Sequence, residues 1–122
     1  MLGSLEDEDA LRRAMTGTDV VLHLAAATKA RTAAEYERAN VAGTQAVVDA
    51  MLAVRPQPQR LIYLSSLAAV GPPRDGRALT REDEPPPLTT YGRTKLAGER
   101  VCAAAGPGLQ VAILRAPAVY GP

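Results

Sequence analysis

Several residue types are scarce in this sequence. It has no Phe and no Trp, one cysteine, and only two lysines (Lys29 and Lys95) among its 14 basic residues. A lone Cys102 excludes a disulfide scaffold and makes a reducing compartment the default. It also has no partner at metal-ligand spacing, so no metal site is expected. With 13 acidic residues the formal net charge is +1, which lacks the basic footprint of nucleic-acid binding. No apolar run approaches the ~18 residues of a membrane span. The opening MLGSLEDED is acidic where a signal peptide is basic and then apolar, so a cytoplasmic location is expected. The ten glycines form neither G-x-G-x-x-G nor G-x-x-G-x-x-G, so no phosphate-cradling turn can be read from the sequence. The 122 residues suit one domain, whose core must be aliphatic and rich in Ala because four tyrosines are its only aromatics.

What is present alternates between helix and strand signals. Ser4 followed by Asp7 resembles a capping box, and Leu11 and Met15 continue a helical stripe, which predicts a helix over about 6–16. Val20 to Leu24, Leu61 to Leu64 and Val111 to Leu114 are continuous apolar runs, as in parallel strands buried on both faces. Long helices are expected over 33–54, with Asn40 and Gly43 as unexplained interruptions, and from about Thr89 or Tyr91 to Ala105. Strands joined by helical crossovers predict an α/β chain, a doubly wound parallel sheet of three strands with helices on both faces. The connection over 67–90 is rich in proline and long enough to be functional or disordered.

In such a sheet ligands bind beyond the carboxyl ends of the strands. That rule selects Leu24 to Ala27, Ser65 to Val70 and Ala116 to Tyr120. Tyr91 and Lys95 add a phenol and an ammonium at i and i+4, on one helix face. An unperturbed phenol has a pKa of about 10, and a neighbouring ammonium favours its phenolate. With a serine hydroxyl at a strand end to hold a substrate oxygen, Ser66, Tyr91 and Lys95 make a proton-transfer site for carbonyl or alcohol chemistry. His23 and Cys102 read as core residues, Arg12 and Arg13 as a solvated face. Asn40 is open between packing and cofactor support, and Tyr120 between site wall and packing.

Four segments in order, DVVLHLAAA (19–27), NVAGT (40–44), LIYLSSLAAVGP (61–72) and YGRTKLAGE (91–99), followed by LRAPAVYGP (114–122), resemble the extended short-chain dehydrogenase/reductases, the NAD-dependent epimerase/dehydratase family. The resemblance implies a partial Rossmann-like fold. It implies Tyr91 as acid/base, Lys95 as the residue that lowers its pKa and binds the nicotinamide ribose, and Ser66 as the substrate-orienting hydroxyl. It further implies contact of Leu5, Leu24, Ala25, Ala26, Asn40 and Pro117 with NAD or NADP, Pro117 near the nicotinamide. Ser4 stands where the family usually has an Asp. The family's glycine-rich first turn and C-terminal substrate region have no counterpart, so the chain reads as the central part of one NAD(P)-binding domain, truncated at both ends. Isolated, it is expected to be poorly stable and to bind the cofactor weakly or not at all.

Leu67 and Ala68 follow Ser66 where the family's dehydratases carry an Asp-Glu pair, and Ala118 stands where many sugar-nucleotide enzymes have Asn. Both differences favour hydride transfer on a small-molecule alcohol or ketone, with hydroxysteroid- or dihydroflavonol-like substrates. A nucleotide-sugar epimerase is the alternative within the family, and a non-catalytic dinucleotide-binding protein or inactive fragment the alternative outside it. The family also implies a homodimer through the helices at 33–54 and 91–105.

Overall fold

A computed structural model describes residues 3–73, 75–80, 82–83 and 86–119. Tyr120 lies outside them. The first helix, α1 (Glu8–Met15), is capped by Asp7, whose carboxylate accepts the Ala10 N–H at 2.9 Å. Ser4 instead closes the preceding turn: its Oγ accepts the Glu6 N–H at 3.2 Å and its carbonyl the Asp7 N–H at 3.1 Å. Asp7 is the stronger cap because its charge, with Glu8 and Asp9 behind it, sits at the positive end of the helix dipole.

Next come β1 (Val20–His23) and α2 (Ala33–Glu37), a π-helical turn (Arg38–Ala42), and α3 (Gly43–Ala53). The helix expected as one continuous rod is therefore wound wider in its middle, at the two residues that interrupt its pattern. Asn40 lies within the wide turn and is 1% exposed, which brings its amide into the interior. Gly43 follows because a Cβ there would press on the Leu5 side chain. Then β2 (Arg60–Ser66) leads into a 3₁₀ turn (Leu67–Ala69), and α4 (Thr90–Ala103) into β3 (Gln110–Ala116).

The strands pair in parallel in the order β1-β2-β3, with Val21 beside Leu61 and Leu61 beside Val111. One hydrophobic cluster joins Met15 of α1, Val47, Val48 and Met51 of α3, Leu61 and Tyr63 of β2, Cys102 of α4, and Leu109. The expectation of helices on both faces is corrected here. Leu61, Tyr63 and Ser65 are buried beneath the helices, whereas Leu22 and Leu114, which point the other way, are 60% and 52% exposed. The physical reason is the strand order: two right-handed crossovers that advance in the same direction lay both helices on the same face. The apolar runs are continuous although, among the described residues, only alternate positions are covered.

Candidate active site

The described residues of the segments singled out by the strand-end rule, 24–27, 65–70 and 116–119, follow the carboxyl ends of the three parallel strands at one edge of the sheet. Ser66 is the last residue of β2, and its Oγ accepts the Ala68 N–H at 3.1 Å, capping the 3₁₀ turn. That turn packs against the start of α4, where Gly92 follows Tyr91. A Cβ at Gly92 would overlap the Ala68 carbonyl and crowd Pro87. Only glycine lets the helix bearing Tyr91 and Lys95 approach the turn that follows Ser66 so closely.

Thr89 caps α4, its Oγ1 accepting the Gly92 N–H at 2.9 Å. Tyr91 is half-buried in the first turn, its ring 6.1 Å from that of Tyr36 and tilted by 55°. Its hydroxyl has no hydrogen-bond partner among the described residues. Lys95, one turn on, is 2% exposed. Its ammonium donates to the Leu64 carbonyl at 2.7 Å and lies 4.2 Å from the centre of the Tyr63 ring, a cation–π contact. Burial lowers the Lys95 pKa, while the electrostatic pull of Cys102 and Glu99 works the other way. The sequence motif places the ammonium beside Tyr91; the structure shows it anchored on β2.

Asn40 ties two sides of the site together. Its Oδ1 accepts the Ala27 N–H at 2.8 Å, and its Nδ2 donates to the Ala27 carbonyl and to Thr94 Oγ1, each at 3.1 Å. Thr94 Oγ1 in turn donates to the Tyr91 carbonyl at 2.9 Å. The loop after β1 and the first turns of α4 are thus fixed through one buried amide, which is held away from the surface.

His23 is 4% exposed, with Nε2 at 3.0 Å from Thr44 Oγ1. The Thr44 hydroxyl proton goes to the Asn40 carbonyl at 2.8 Å, so His23 must be the donor, in the Nε2–H tautomer. Desolvation, aided by the Lys95 charge, pushes its pKa down to about 4. Cys102 is fully buried and its thiol is pushed up to about 11 by burial, so it is a neutral core group.

The residues expected to line a cofactor lie on the other side. Leu24 is 59% exposed and Ala25 is exposed just beyond β1. Leu5 and Ala25 share the wall of a concavity of about 380 Å³ with Gly3, Ser4, Ala10, Leu11 and Ala14. Its small apolar walls suit a flat ring. Pro117 is exposed past the end of β3, and Ala26 is half-buried.

Sequence reasoning missed one cluster. Glu99, one turn beyond Lys95, is 5% exposed. It accepts the Ser65 hydroxyl at 2.5 Å and takes Arg115 Nε at 3.0 Å and Nη2 at 2.7 Å. The only signal was its place at the end of the YGRTKLAGE segment.

Comparison with known proteins follows the geometry. The sequence model of the NAD dependent epimerase/dehydratase family matches residues 1–122. A ketoreductase of Stigmatella aurantiaca (4-hydroxy-2-methyl-3-oxo-4-farnesyl-3,4-dihydroquinoline-1-oxide ketoreductase) is 39% identical over 99% of the chain and 37% of its own length. A ceramide reductase of Caulobacter vibrioides is 38% identical over 98% of the chain and 32% of its own length. The crystal structure of UDP-glucuronic acid 4-epimerase from Bacillus cereus in complex with NAD superposes with a TM-score of 0.85 at 29% identity, covering 98% of the chain and 39% of that protein. The chain therefore spans roughly a third to two-fifths of the length of these proteins.

Proposed function

Because the chain belongs to the NAD-dependent epimerase/dehydratase family, we propose that the protein carrying it is an NAD(P)-dependent reductase that interconverts a ketone and an alcohol. The observation that carries this reading is the free Tyr91 hydroxyl in the first turn of α4, held by Gly92 against the turn after Ser66. Tyr91 gives a proton to the carbonyl oxygen during reduction and removes it during oxidation. Ser66 holds that oxygen against the phenol. Lys95, kept at the site by the Leu64 carbonyl and the Tyr63 ring, supplies the positive charge that favours the phenolate.

The apolar concavity at Leu5 and Ala25 fits the flat ring of a dinucleotide; Leu24 and Ala26, beside Ala25 in the loop after β1, and Pro117, past the end of β3, would meet other parts of the cofactor. The bound nicotinamide supplies or accepts the hydride. Asn40 supports the wall from behind, through its two bonds to Ala27.

Reduction is preferred to elimination because Leu67 and Ala68 form the turn directly after Ser66, where elimination requires an acid and a base. The two reductases above, 39% and 38% identical, support the same choice. Nucleotide-sugar epimerisation is the second reading, favoured by the close superposition on the Bacillus cereus epimerase. Both are decided by incubating the protein with NAD(P)H and a panel of bulky apolar ketones, and separately with NAD and UDP-sugars. Stoichiometric oxidation of NAD(P)H with ketone reduction is expected. Interconversion of a UDP-sugar without net redox change would sink the first reading.

A further inference from the structure

We propose that Glu99 is a positioning residue for the Ser66–Tyr91–Lys95 site, clamping the ends of β2 and β3 onto α4 and placing a negative charge one helical turn from the Lys95 ammonium. The inference rests on the reading of that site given above. Tyr91, Lys95 and Glu99 stand four residues apart along α4, so they share one face, with about 5–6 Å between successive Cβ atoms. The outermost of the three is a carboxylate with almost no solvent exposure. Burying a charge is costly unless it is paired and hydrogen-bonded, and Glu99 is both.

Its partners come from two strands. Ser65, on β2, donates its hydroxyl at 2.5 Å, and Arg115, on β3, makes a two-pronged ion pair whose shortest contact is 2.7 Å. These are the register neighbours Ser65 and Arg115, side by side at the sheet's carboxyl edge. Ser65 is followed directly by Ser66 and preceded by Leu64, whose carbonyl accepts a hydrogen bond from the Lys95 ammonium. One carboxylate thus fixes the strand segment that bears both the substrate-orienting hydroxyl and the anchor of the lysine. Had Glu99 only been needed for packing, an apolar side chain of its size would have avoided the desolvation cost.

Among the described residues, the charged and titratable groups facing the ammonium are Tyr63 from β2, His23 from β1, and Glu99 and Cys102 from α4 itself, with Arg115 of β3 behind Glu99. Among these, Glu99 is the one carboxylate, so it opposes the burial that disfavours the charged lysine. Removing its charge takes away the carboxylate that favours the charged lysine and moves Lys95 further down.

NMR of ε-carbon-labelled lysine in the protein carrying this chain, with the Lys95 signal assigned by its loss in Lys95→Arg, reads Lys95 with no need for turnover. In Glu99→Gln the Lys95 titration is expected to fall by about one further pH unit and to return toward the wild-type value in Glu99→Asp. In the active protein, Glu99→Gln is expected to lower kcat about tenfold or more through misplacement, with KM for the cofactor changed less than twofold. Should the Gln variant not fold, Ser65→Ala removes the tie to β2 alone and should still lower kcat severalfold.

An unmoved Lys95 titration in a folded Glu99→Gln protein would overturn the proposal and leave only a structural ion pair. Unchanged kcat in both variants would overturn it as well. Failure of the underlying reading looks different: Tyr91→Phe would keep full turnover, while the Lys95 titration would still answer for Glu99.

Discussion

The two walls of the site are built in opposite ways. The wall bearing Ser66, Tyr91 and Lys95 is tied down by buried polar groups: Asn40 bridges to Ala27 and Thr94, His23 donates to Thr44, and Glu99 holds Ser65 and Arg115. The wall of Leu5, Leu11 and Ala25 is small, apolar and open to solvent, with Ala25 itself exposed. Proton transfer needs groups fixed to within a fraction of an ångström, whereas a flat apolar ring needs surface and little direction. Changes on the first wall should therefore alter stability and turnover together, and changes on the second should alter ligand binding alone.

The largest expected break comes at Gly92. Elsewhere in a helix, Gly→Ala stabilises by up to about 1 kcal/mol; here the added Cβ overlaps the Ala68 carbonyl, and Gly92→Ala should cost about 3 kcal/mol. Thermal melting checks the sign, and a rise in Tm would show that α4 is not seated on the turn. His23 comes next. Its folded pKa of about 4 lies below the ordinary 6.5, so the unfolded chain binds the proton more readily. The stability this contributes is complete above pH 6.5 and is lost as pH falls towards 4, about 3 kcal/mol in all. Urea titrations across that range should lose this slope in His23→Gln.

Asn40→Ala removes the partner of the Ala27 N–H and carbonyl and cuts the tie to Thr94 and should cost about 2 kcal/mol by denaturant midpoint. The smallest effect belongs to the open wall. Ala25→Leu should weaken NAD(P) binding about tenfold, by roughly 1.4 kcal/mol, with Tm unchanged because the side chain is exposed. A matching loss of Tm would erase the distinction between the two walls.

How much of this could be read in advance depended on whether the signal was local. The order of elements and the placing of Tyr91 and Lys95 on one face of α4 follow from periodicity within single segments. Asn40 and Gly43 announced a disturbance in a good helix, and the π-helical turn is that disturbance. The bare sheet face was hidden because a run such as Leu61 to Leu64 is apolar or aromatic at every position whether one face or two are covered. Glu99 was hidden for a related reason. A glutamate on a helix reads as solvated, and its burial depends on Ser65 and Arg115, which arrive from 34 and 16 residues away. The anchoring of Lys95 on the Tyr63 ring and the Leu64 carbonyl is equally non-local, 31 residues apart for the latter.

The central claim is that the free Tyr91 hydroxyl transfers the proton. Replacing Tyr91 by Phe removes one oxygen and leaves the ring against Tyr36. The measurement is the turnover number beside the cofactor dissociation constant in that variant: a loss of about a thousandfold or more in turnover, with cofactor affinity within twofold of wild type, is the predicted result. Turnover within tenfold of wild type would contradict it.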